Sequence, residues 1–402
     1  MRLIDDAERR ARLARRQALA PEHRTGSVLD AVRAVGVLHA TEPATPYLSV
    51  HARMRDVARD DYERELWEER SLVKQLAMRR TMFVFPRALY GPALSGPSDR
   101  VAAQEHAKIV KDVEAAGIAA DGAAWLARAR DAVLEALRGR ELSAQDLRET
   151  VPEIVGRVTR FEGKKYGGEM HLAPRVLTWL GAAGELVRGH NASHWRVNRN
   201  LWARADDWFG EEAARTDAAA AYAILVREYL RAFGPVTETD VVWWFGATKT
   251  AIRAALAEIG AVPVALERGG TGWVLPDDVD PEDPVEPWAA LLPALDPTPM
   301  GWKERAFYLD PAFATAIYDS AGNAGTTAWW DGRIVGAYTQ EDDGTVALVL
   351  PPGTPRAARK ALDAEAARLQ EWLAGERVNS LYKSPITLPA YGDGAARDAD
   401  RG

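Results

Sequence analysis

The chain has 402 residues, of which 47% are hydrophobic and 27% are charged, and it contains no cysteine. This length exceeds what one hydrophobic core usually serves, so several domains are expected. The lack of cysteine excludes disulfides, thiolate nucleophiles, zinc fingers and iron–sulfur clusters. No apolar run approaches the roughly 18 residues of a membrane span, and the N-terminus lacks a signal-peptide pattern. We therefore expect a cytoplasmic protein with no membrane partner.

The net charge of −7 is unevenly distributed along the chain. Residues 1–200 carry 33 Lys and Arg against 27 Asp and Glu, whereas the remaining residues carry 18 and 31. A basic first half permits nucleic-acid binding through that half. The alternative is an uneven surface charge without a binding role.

Three winged helices are predicted from a pattern that recurs along the chain. Each begins with a hydroxyl residue and an acid three positions later, the capping-box signature of a helix start. The pairs are Ser27 and Asp30, Ser143 and Asp146, and Thr237 and Asp240. After a further helical stretch come two short β-type runs, which would form the wing. These runs are Leu72–Ala77 with Thr81–Phe85, Glu185–Arg188 with Trp195–Val197, and Ala261–Leu266 with Gly272–Leu275.

Further helical patterns surround these units. An arginine-rich amphipathic helix over Asp6–Ala18 precedes the first winged helix. Connecting helices over Asp99–Ala115 and Gly122–Leu137 separate the first from the second. In the second unit the apolar helix Val176–Ala183 takes the place of a recognition helix, and in the third a helix over Lys249–Ile259 follows a glycine turn.

A separate C-terminal domain is expected after an acidic, Pro-rich linker that starts at Asp277. Its short strands, typical of a barrel or sandwich, are Trp288–Ala294, Arg305–Leu309, Thr326–Trp330, Arg333–Tyr338 and Thr345–Leu350. The amphipathic helix Pro355–Leu373 would close this domain. The predicted α+β organisation is winged helix 1 at 1–95, connector helices and winged helix 2 at 96–200, winged helix 3 at 201–280, a β-barrel-like domain at 281–390, and a flexible tail at 391–402.

The stretch Gly36–Leu48 is the most informative part of the sequence. An apolar helix ends there in a tight polar corner, His39-Ala40-Thr41, and a helix with Pro near its start follows at once. This corner resembles that of the AlkZ/YcaQ-type helix-turn-helix DNA glycosylases, in which the two polar positions read Gln-x-Gln or Gln-x-Asp. Further phrases that carry the resemblance are Met78–Thr81, Leu180–Gly189, Asp240–Gly246, Leu292–Pro297 and Asp331–Gly336.

The resemblance implies a C-shaped arrangement of three tandem winged helices plus a terminal β-barrel, which grips duplex DNA on its concave face. It further implies that the corner hydrolyses an N-glycosidic bond, with His39 and Thr41 as catalytic residues. An N7-alkylated purine is already cationic, so the enzyme must mainly orient a water and stabilise the sugar cation. A His ring nitrogen and a Thr hydroxyl can each accept from that water, and neutral His39 could act as a general base. The alternative is that both residues only satisfy a helix end.

The corner holds no Lys, which disfavours lyase chemistry and favours a monofunctional enzyme. No nucleotide-binding loop or flavin motif appears, so neither a cofactor nor a metal is expected.

The best candidate DNA-binding stretch lies between Arg157 and Arg199, where eight basic residues stand against three Glu. Such side chains neutralise phosphates and give salt-dependent, sequence-independent affinity. The candidates are Arg160, Lys164, Lys165, Tyr166 and Arg175 in this stretch, Arg79 and Arg80 at the first wing tip, and Lys303 and Arg305, whose positions match the family near the DNA-facing edge of the barrel. For any one of them the alternative is a solvated surface charge.

These features together predict a monomeric DNA glycosylase for alkylated purines in duplex DNA, bulky or crosslinked adducts included, that serves repair or antibiotic self-resistance. Two other classes stay open. One is a non-catalytic winged-helix DNA-binding protein such as a transcriptional regulator, which should show sequence preference and leave no abasic product. The other is a damage sensor that binds adducts without cutting.

Overall fold

A computed structural model describes residues 1–160 and 168–388 of the chain. The expected flexible tail at 391–402 lies outside these residues. Helices and strands are mixed throughout, which confirms the predicted α+β class, and the chain divides into two compact units. The first unit combines Met1–Glu65 with Ala223–Gly402, and the second is Leu66–Tyr222. The finer domain boundaries expected from the sequence stay a prediction.

The described residues form sixteen α-helices and fourteen β-strands. The helices are α1 (Asp6–Arg16), α2 (Val28–Arg33), α3 (Thr45–Arg53), α4 (Arg59–Trp67), α5 (Tyr90–Ala93), α6 (Asp99–Ala115), α7 (Gly122–Ala136), α8 (Ala144–Thr150), α9 (Ala173–Ala182), α10 (Ala205–Phe209), α11 (Ala218–Phe233), α12 (Glu238–Phe245), α13 (Lys249–Glu258), α14 (Pro297–Met300), α15 (Ala314–Ile317) and α16 (Arg356–Leu373). The strands are β1 (Leu3–Ile4), β2 (Leu38–His39), β3 (Leu72–Leu76), β4 (Met82–Pro86), β5 (Arg157–Arg160), β6 (Gly168–His171), β7 (Leu186–Asn191), β8 (Asn200–Arg204), β9 (Val262–Leu266), β10 (Thr271–Val274), β11 (Ala289–Leu292), β12 (Thr327–Trp330), β13 (Arg333–Gln340) and β14 (Val346–Val349). None of the helices in the described ranges has both the length and the apolarity that crossing a bilayer requires.

All three predicted hydroxyl–acid pairs start a helix. Ser27 caps α2, since its Oγ accepts from the N–H of Asp30 at 3.1 Å. The boxes before α8 and α12 are complete, because there the acid also accepts from the backbone N–H of Ser143 or Thr237, each at 2.9 Å. Each cap satisfies N–H groups that have no partner within the helix and contributes about 1 kcal/mol. These predicted helix starts are confirmed.

Two of the three predicted strand pairs occur where the sequence places them. β3 pairs antiparallel with β4, and β9 pairs antiparallel with β10. In the other pair, β7 pairs with β8, which begins at Asn200, so the expected strand Trp195–Val197 is wrong and belongs to the connecting loop. Aromatic and branched residues favour strands because they pack well on half-buried surfaces, and Trp195 is buried without being in a strand. The number of winged-helix domains stays a prediction.

The C-terminal strands form an open sheet, so the expected β-barrel-like domain contains no closed barrel within the described residues. The strand order is β11-β12-β13-β14, and all neighbours are antiparallel. Four strands are too few to curve into a closed barrel, and α16 packs on the sheet instead. The helix buries an apolar stripe that consists of Ala358, Leu362, Ala366, Leu369 and Leu373. The expected strand Arg305–Leu309 is also wrong, since this stretch forms a turn.

The acidic linker before β11 is held by the first helix of the same unit. Arg12 is buried, pairs with Asp278 at 2.8 Å and donates to the carbonyl of Asp280 at 2.8 Å. Arg16 pairs with Asp278 at 2.5 Å and with Glu282 at 2.6 Å. The arginines of α1 therefore bind the protein's own acidic segment, which reduces the positive charge that the first half offers to an external polyanion.

Candidate active site

The predicted corner connects α2 to α3 in the first unit. β2 ends at His39, a turn follows, and α3 begins at Thr45 with a proline in its first turn. A proline at this position loses no helical hydrogen bond, because the first N–H groups of a helix have no intrahelical acceptor. The Thr45 hydroxyl donates to the Ala294 carbonyl at 2.9 Å, so the start of α3 is tied to the segment that follows β11.

A buried ion pair fixes the orientation of α3. Arg53 and Asp296 are both 0% exposed and are joined by two N–H···O bonds of 2.8 Å. The Ser49 hydroxyl donates to Asp296 at 2.7 Å, and Arg53 donates to the Thr298 hydroxyl at 2.7 Å. Burial disfavours the charged carboxylate, but Arg53 and these hydrogen bonds outweigh it and hold the pKa of Asp296 below its usual value. The helix that leaves the corner is therefore locked to the Leu292–Pro297 segment.

A second, partly buried network joins α3 to α16. The Nε2 atom of His51 lies 3.0 Å from a guanidinium nitrogen of Arg368. Glu365 bridges Arg368 and Arg24, at 2.9 and 2.7 Å. Burial, Arg368 and Arg24 all lower the pKa of His51, well below 6.5. The imidazole is therefore neutral near pH 7 and serves as an acceptor for Arg368.

The two predicted catalytic residues differ in their surroundings. Thr41 is exposed, whereas His39 is only 5% exposed. The Nδ1 atom of His39 accepts a long hydrogen bond of 3.5 Å from the backbone N–H of Thr41. Through this contact the Nδ1 edge of the imidazole faces the bend itself. This placement favours Thr41 as the residue that meets solvent and His39 as the residue that fixes the bend.

Glu42, the next residue, lies between the bend and α3, and its side chain makes no cap of that helix. Its side chain is only 9% exposed, and its Oε1 atom accepts from the N–H of Leu381 at 2.5 Å. It lines a cavity of about 110 Å³ within the first unit. Its partner lies 339 positions away, so no local sequence pattern could have revealed this arrangement.

The predicted wing tip at Arg79 and Arg80 forms the turn between β3 and β4. Both residues have positive φ angles, 54° and 59°, which L-residues rarely adopt. Arg80 is exposed, and it pairs with the buried carboxylate of Glu105 at 2.9 Å. Lys108 pairs with the same carboxylate at 3.0 Å. The tip thus presents basic side chains on a defined turn, although Glu105 neutralises part of their charge.

Arg175, a predicted DNA-binding residue, lies on α9 and is buried. It is 8% exposed, and its guanidinium lies 2.7 Å from a carboxylate oxygen of Asp112. This pair lies where α9 packs on α6, and the predicted contact of Arg175 with a phosphate stays a prediction. No local pattern predicts this pair, because Asp112 belongs to α6 and lies 63 positions before Arg175.

The other DNA-binding candidates between Arg157 and Arg199 lie next to residues 161–167 or among them, and the structure does not describe those seven residues. β5 and β6 pair antiparallel on either side of residues 161–167, a hairpin that the sequence analysis did not identify. Arg160 ends β5, and only its backbone is described. Lys164, Lys165 and Tyr166 lie outside the described residues, so their predicted contact with DNA stays a prediction.

Lys303 and Arg305 lie in the turn that follows α14. The backbone N–H of Lys303 donates to Asp240 at 2.7 Å, and the Lys303 side chain is exposed. The Arg305 guanidinium lies 3.9 Å from the ring centroid of Tyr318 and 5.5 Å from that of Trp243. Lys303 is therefore held by its backbone with its charge free to reach a ligand, whereas Arg305 is already engaged with aromatic rings.

The chain is similar to known DNA glycosylases in sequence and in fold. A family model described as "DNA glycosylase AlkZ-like" matches residues 32–372, a range that includes the corner and the Asp296 segment. Among solved structures, the Streptomyces sahachiroi DNA glycosylase AlkZ is similar, with a TM-score of 0.71 and 22% identity over 94% of this chain and 99% of that chain. A comparison with curated protein sequences gave no match. Because the family model spans most of its length, the chain belongs to the AlkZ-like DNA glycosylase family.

Proposed function

We propose that this chain is a monofunctional DNA glycosylase that hydrolyses the N-glycosidic bond of alkylated purines in duplex DNA. The observation that carries the proposal is the His39-Ala40-Thr41 corner inside the family-matched range, with Thr41 exposed at the bend. The similar structure is, by its name, a DNA glycosylase. Bulky adducts as substrates, and a role in repair or antibiotic self-resistance, belong to the same proposal.

The chemistry asks little of the protein beyond orientation. The oxygen of a water forms a bond to C1′ while the C1′–N9 bond breaks, and the electron pair of that bond moves into the purine. In an N7-alkylated purine this pair neutralises the cationic ring, so the leaving base needs no proton. The water loses one proton to solvent. The site must hold the water on C1′ and stabilise the positive sugar in the transition state.

Each corner residue then has one task. The Thr41 hydroxyl accepts from the water and directs its oxygen lone pair at C1′. His39 acts as a positioning residue, because its Nδ1 accepts the Thr41 N–H and its ring is largely withdrawn from solvent. The buried pair of Arg53 and Asp296 keeps the next helix in register with this bend.

Duplex DNA is the proposed partner, and its binding rests on basic side chains that contact phosphates without reading sequence. Lys303 is the clearest contributor because its side chain is exposed and its backbone is anchored. Arg79 and Arg80 at the wing tip are further contributors in this proposal. Such contacts suit an enzyme that must search any sequence for damage.

The test is base release from duplexes that carry N7-methylguanine or a bulky N7-guanine adduct, read out by alkaline cleavage of the abasic product. Wild-type protein should cleave. Thr41→Ala should lose about a hundredfold or more in rate with unchanged DNA affinity, by analogy with the loss of one hydrogen-bonding group at a transition state. The exposed Thr271 supplies a matched control, since Thr271→Ala should behave as wild type. Intact strands with every substrate would exclude the enzymatic role.

Two substitutions of His39 separate positioning from direct contact with the water. The amide of His39→Asn ends near the place of Nδ1 and keeps an acceptor for the Thr41 N–H. The longer amide of His39→Gln ends near the place of Nε2. If His39 positions Thr41, the Asn variant keeps more activity than the Gln variant. The reverse order would instead favour direct contact through Nε2.

A damage sensor that binds adducts without cutting is the second candidate. It is favoured by the burial of His39 and by the presence of His39 and Thr41 at the two positions where the family motif has Gln-x-Gln. A sensor would retard lesion-bearing duplexes in a gel and leave them alkali-stable under single-turnover conditions. A glycosylase would convert the same duplexes into abasic product.

A further inference from the structure

Two arginines of the first unit, Arg10 and Arg333, come together at the turn between β12 and β13. Trp330 pairs with Arg333, so Asp331 and Gly332 alone form this turn. Both turn residues have positive φ angles, 48° and 72°, as in the tight hairpin turns whose twist matches that of their strands. The turn therefore holds Arg333 in a fixed place, as the first residue of β13.

Arg10 reaches the same turn from α1. A Cβ atom on Gly332 would lie 2.6 Å from the Cβ of Arg10 and 2.8 Å from its Cγ, so only glycine lets the Arg10 stem pack this closely on the turn. One terminal nitrogen of Arg10 donates to the Phe307 carbonyl at 2.9 Å, in the segment after α14 that also carries Lys303. The other guanidinium nitrogens of Arg10 make no hydrogen bond within residues 1–160 and 168–388, so they can donate to a ligand.

The charges of these two arginines are not balanced by a carboxylate. Neither Arg10 nor Arg333 forms an ion pair in the described part of the chain. Among the nearby acids, Asp6 is bound by Arg268 at 2.6 Å, and Asp331 is exposed. Burial and the positive charge of Arg333 both lower the pKa of Arg10, so the two guanidinium groups repel each other. Holding two like charges together in this way costs free energy, which an anion bound by both would offset.

We propose that Arg10 and Arg333 together bind one phosphate of the DNA backbone. A phosphodiester carries its negative charge on two oxygens, and the planar N–H groups of a guanidinium match such oxygens in geometry. A phosphate between the two arginines replaces their mutual repulsion by two attractions. The inference rests on the proposed function for its partner, duplex DNA, and adds to that function a contact at the β12–β13 turn.

Binding of undamaged duplex DNA tests this pair without any need for catalysis. We would measure fluorescence anisotropy at several salt concentrations with the full chain, Arg10→Met, Arg333→Met and the double variant. Met keeps most of the aliphatic stem and removes the guanidinium, and thermal melting verifies the fold of each variant. The matched control is Arg356→Met, which removes an exposed arginine of the same unit. We expect each single variant to lose about tenfold in affinity and the control to bind like wild type.

The salt dependence of binding counts the phosphates that the pair contacts. The slope of log K against log salt concentration falls by about 0.9 for each phosphate contact that is lost. One shared phosphate predicts a decrease of about 0.9 for the double variant, whereas a decrease of about 1.8 would mean two separate phosphates and would overturn the sharing. Asp331→Asn should strengthen binding, because it removes a negative charge beside the phosphate and Asn tolerates a positive φ angle. Weaker binding by this variant would contradict a phosphate at the turn.

Thermal melting of the free protein separates this binding role from a purely structural one. Arg333→Met should melt at the wild-type temperature or above it, because it removes a like charge from beside Arg10. A lower melting temperature together with wild-type DNA affinity would show a structural role and overturn the inference. Stabilisation of the wild type by inorganic phosphate, with DNA affinity unchanged in both variants, would identify free phosphate as the ligand and overturn it as well.

Failure of this inference can be told apart from failure of the proposed function. A wild type that binds duplex DNA through Arg10 and Arg333 but releases no base refutes the glycosylase and leaves the phosphate contact standing. An active enzyme whose variants bind DNA like wild type overturns the contact alone.

Discussion

Asp296→Asn should destabilise the first unit strongly, because it removes the charge that compensates the buried guanidinium of Arg53. Both side chains are 0% exposed, and two N–H···O bonds of 2.8 Å join them. An Asn keeps one oxygen and has an NH₂ group in place of the other. Where the NH₂ group replaces Oδ2, both Arg53 and the Ser49 hydroxyl lose the acceptor to which they donate. Leaving a buried charge without its partner costs about 3–5 kcal/mol.

Urea denaturation followed by tryptophan fluorescence measures this effect. With the slopes typical of small proteins, the midpoint should fall on the order of 1 M or more. The matched control is Glu135→Gln, which removes a carboxylate from an exposed pair with Arg138 and should leave the midpoint nearly unchanged. The double variant Arg53→Met/Asp296→Leu removes both charges and should recover much of the loss, because apolar replacements of a buried pair are often neutral.

The same variant tests the link between this lock and the corner. If α3 is held by Asp296, its loss should also lower base release at temperatures where the protein remains folded. An Asp296→Asn midpoint within error of wild type would contradict this expectation, since it would mean that Arg53 finds another partner or water at no cost.

Titration of His51 should make stability depend on pH, because its pKa in the folded protein lies below 6.5 owing to burial, Arg368 and Arg24. The unfolded chain then binds the proton more readily, so the free energy of unfolding should fall by up to about 1.4 kcal/mol per pH unit as pH drops through 6.5. His51→Gln should flatten this slope, as measured by urea titrations at several pH values. Lys303→Ala should lower the salt dependence of duplex binding by about one counterion in fluorescence anisotropy, and an unchanged slope would remove Lys303 from the DNA contact. Arg175→Ala should instead lower the urea midpoint and keep the salt slope, the reverse result indicating that the side chain leaves Asp112 to bind DNA.

Much of the local structure could be predicted because its causes are local. A hydroxyl and an acid three residues apart cap a helix wherever they occur, and Ser143 and Thr237 do so. Short hairpins such as β3–β4 and β9–β10 follow from alternating apolar residues and the turn between them. The parallel addition of β1 to β9 escaped prediction, since two residues carry no pattern and the partner lies at the other end of the unit.

The misjudged features depend on distant parts of the chain. Whether four strands close into a barrel or stay open under a helix depends on all of them together, as α16 shows. At the site, the residue types of the corner could be found by pattern. The sequence does not tell which side chain of a bend faces inward, so the burial of His39 and the partner of Glu42 emerged only from the fold.

Single-turnover release of 7-methylguanine from duplex DNA is the decisive measurement for this chain, with the freed base detected by mass spectrometry and the abasic strand by alkaline cleavage. We expect stoichiometric release by wild type and a loss of about a hundredfold or more in rate for Thr41→Ala at equal DNA affinity. Equal rates for the two proteins would contradict the central claim that this exposed hydroxyl directs the water at the sugar.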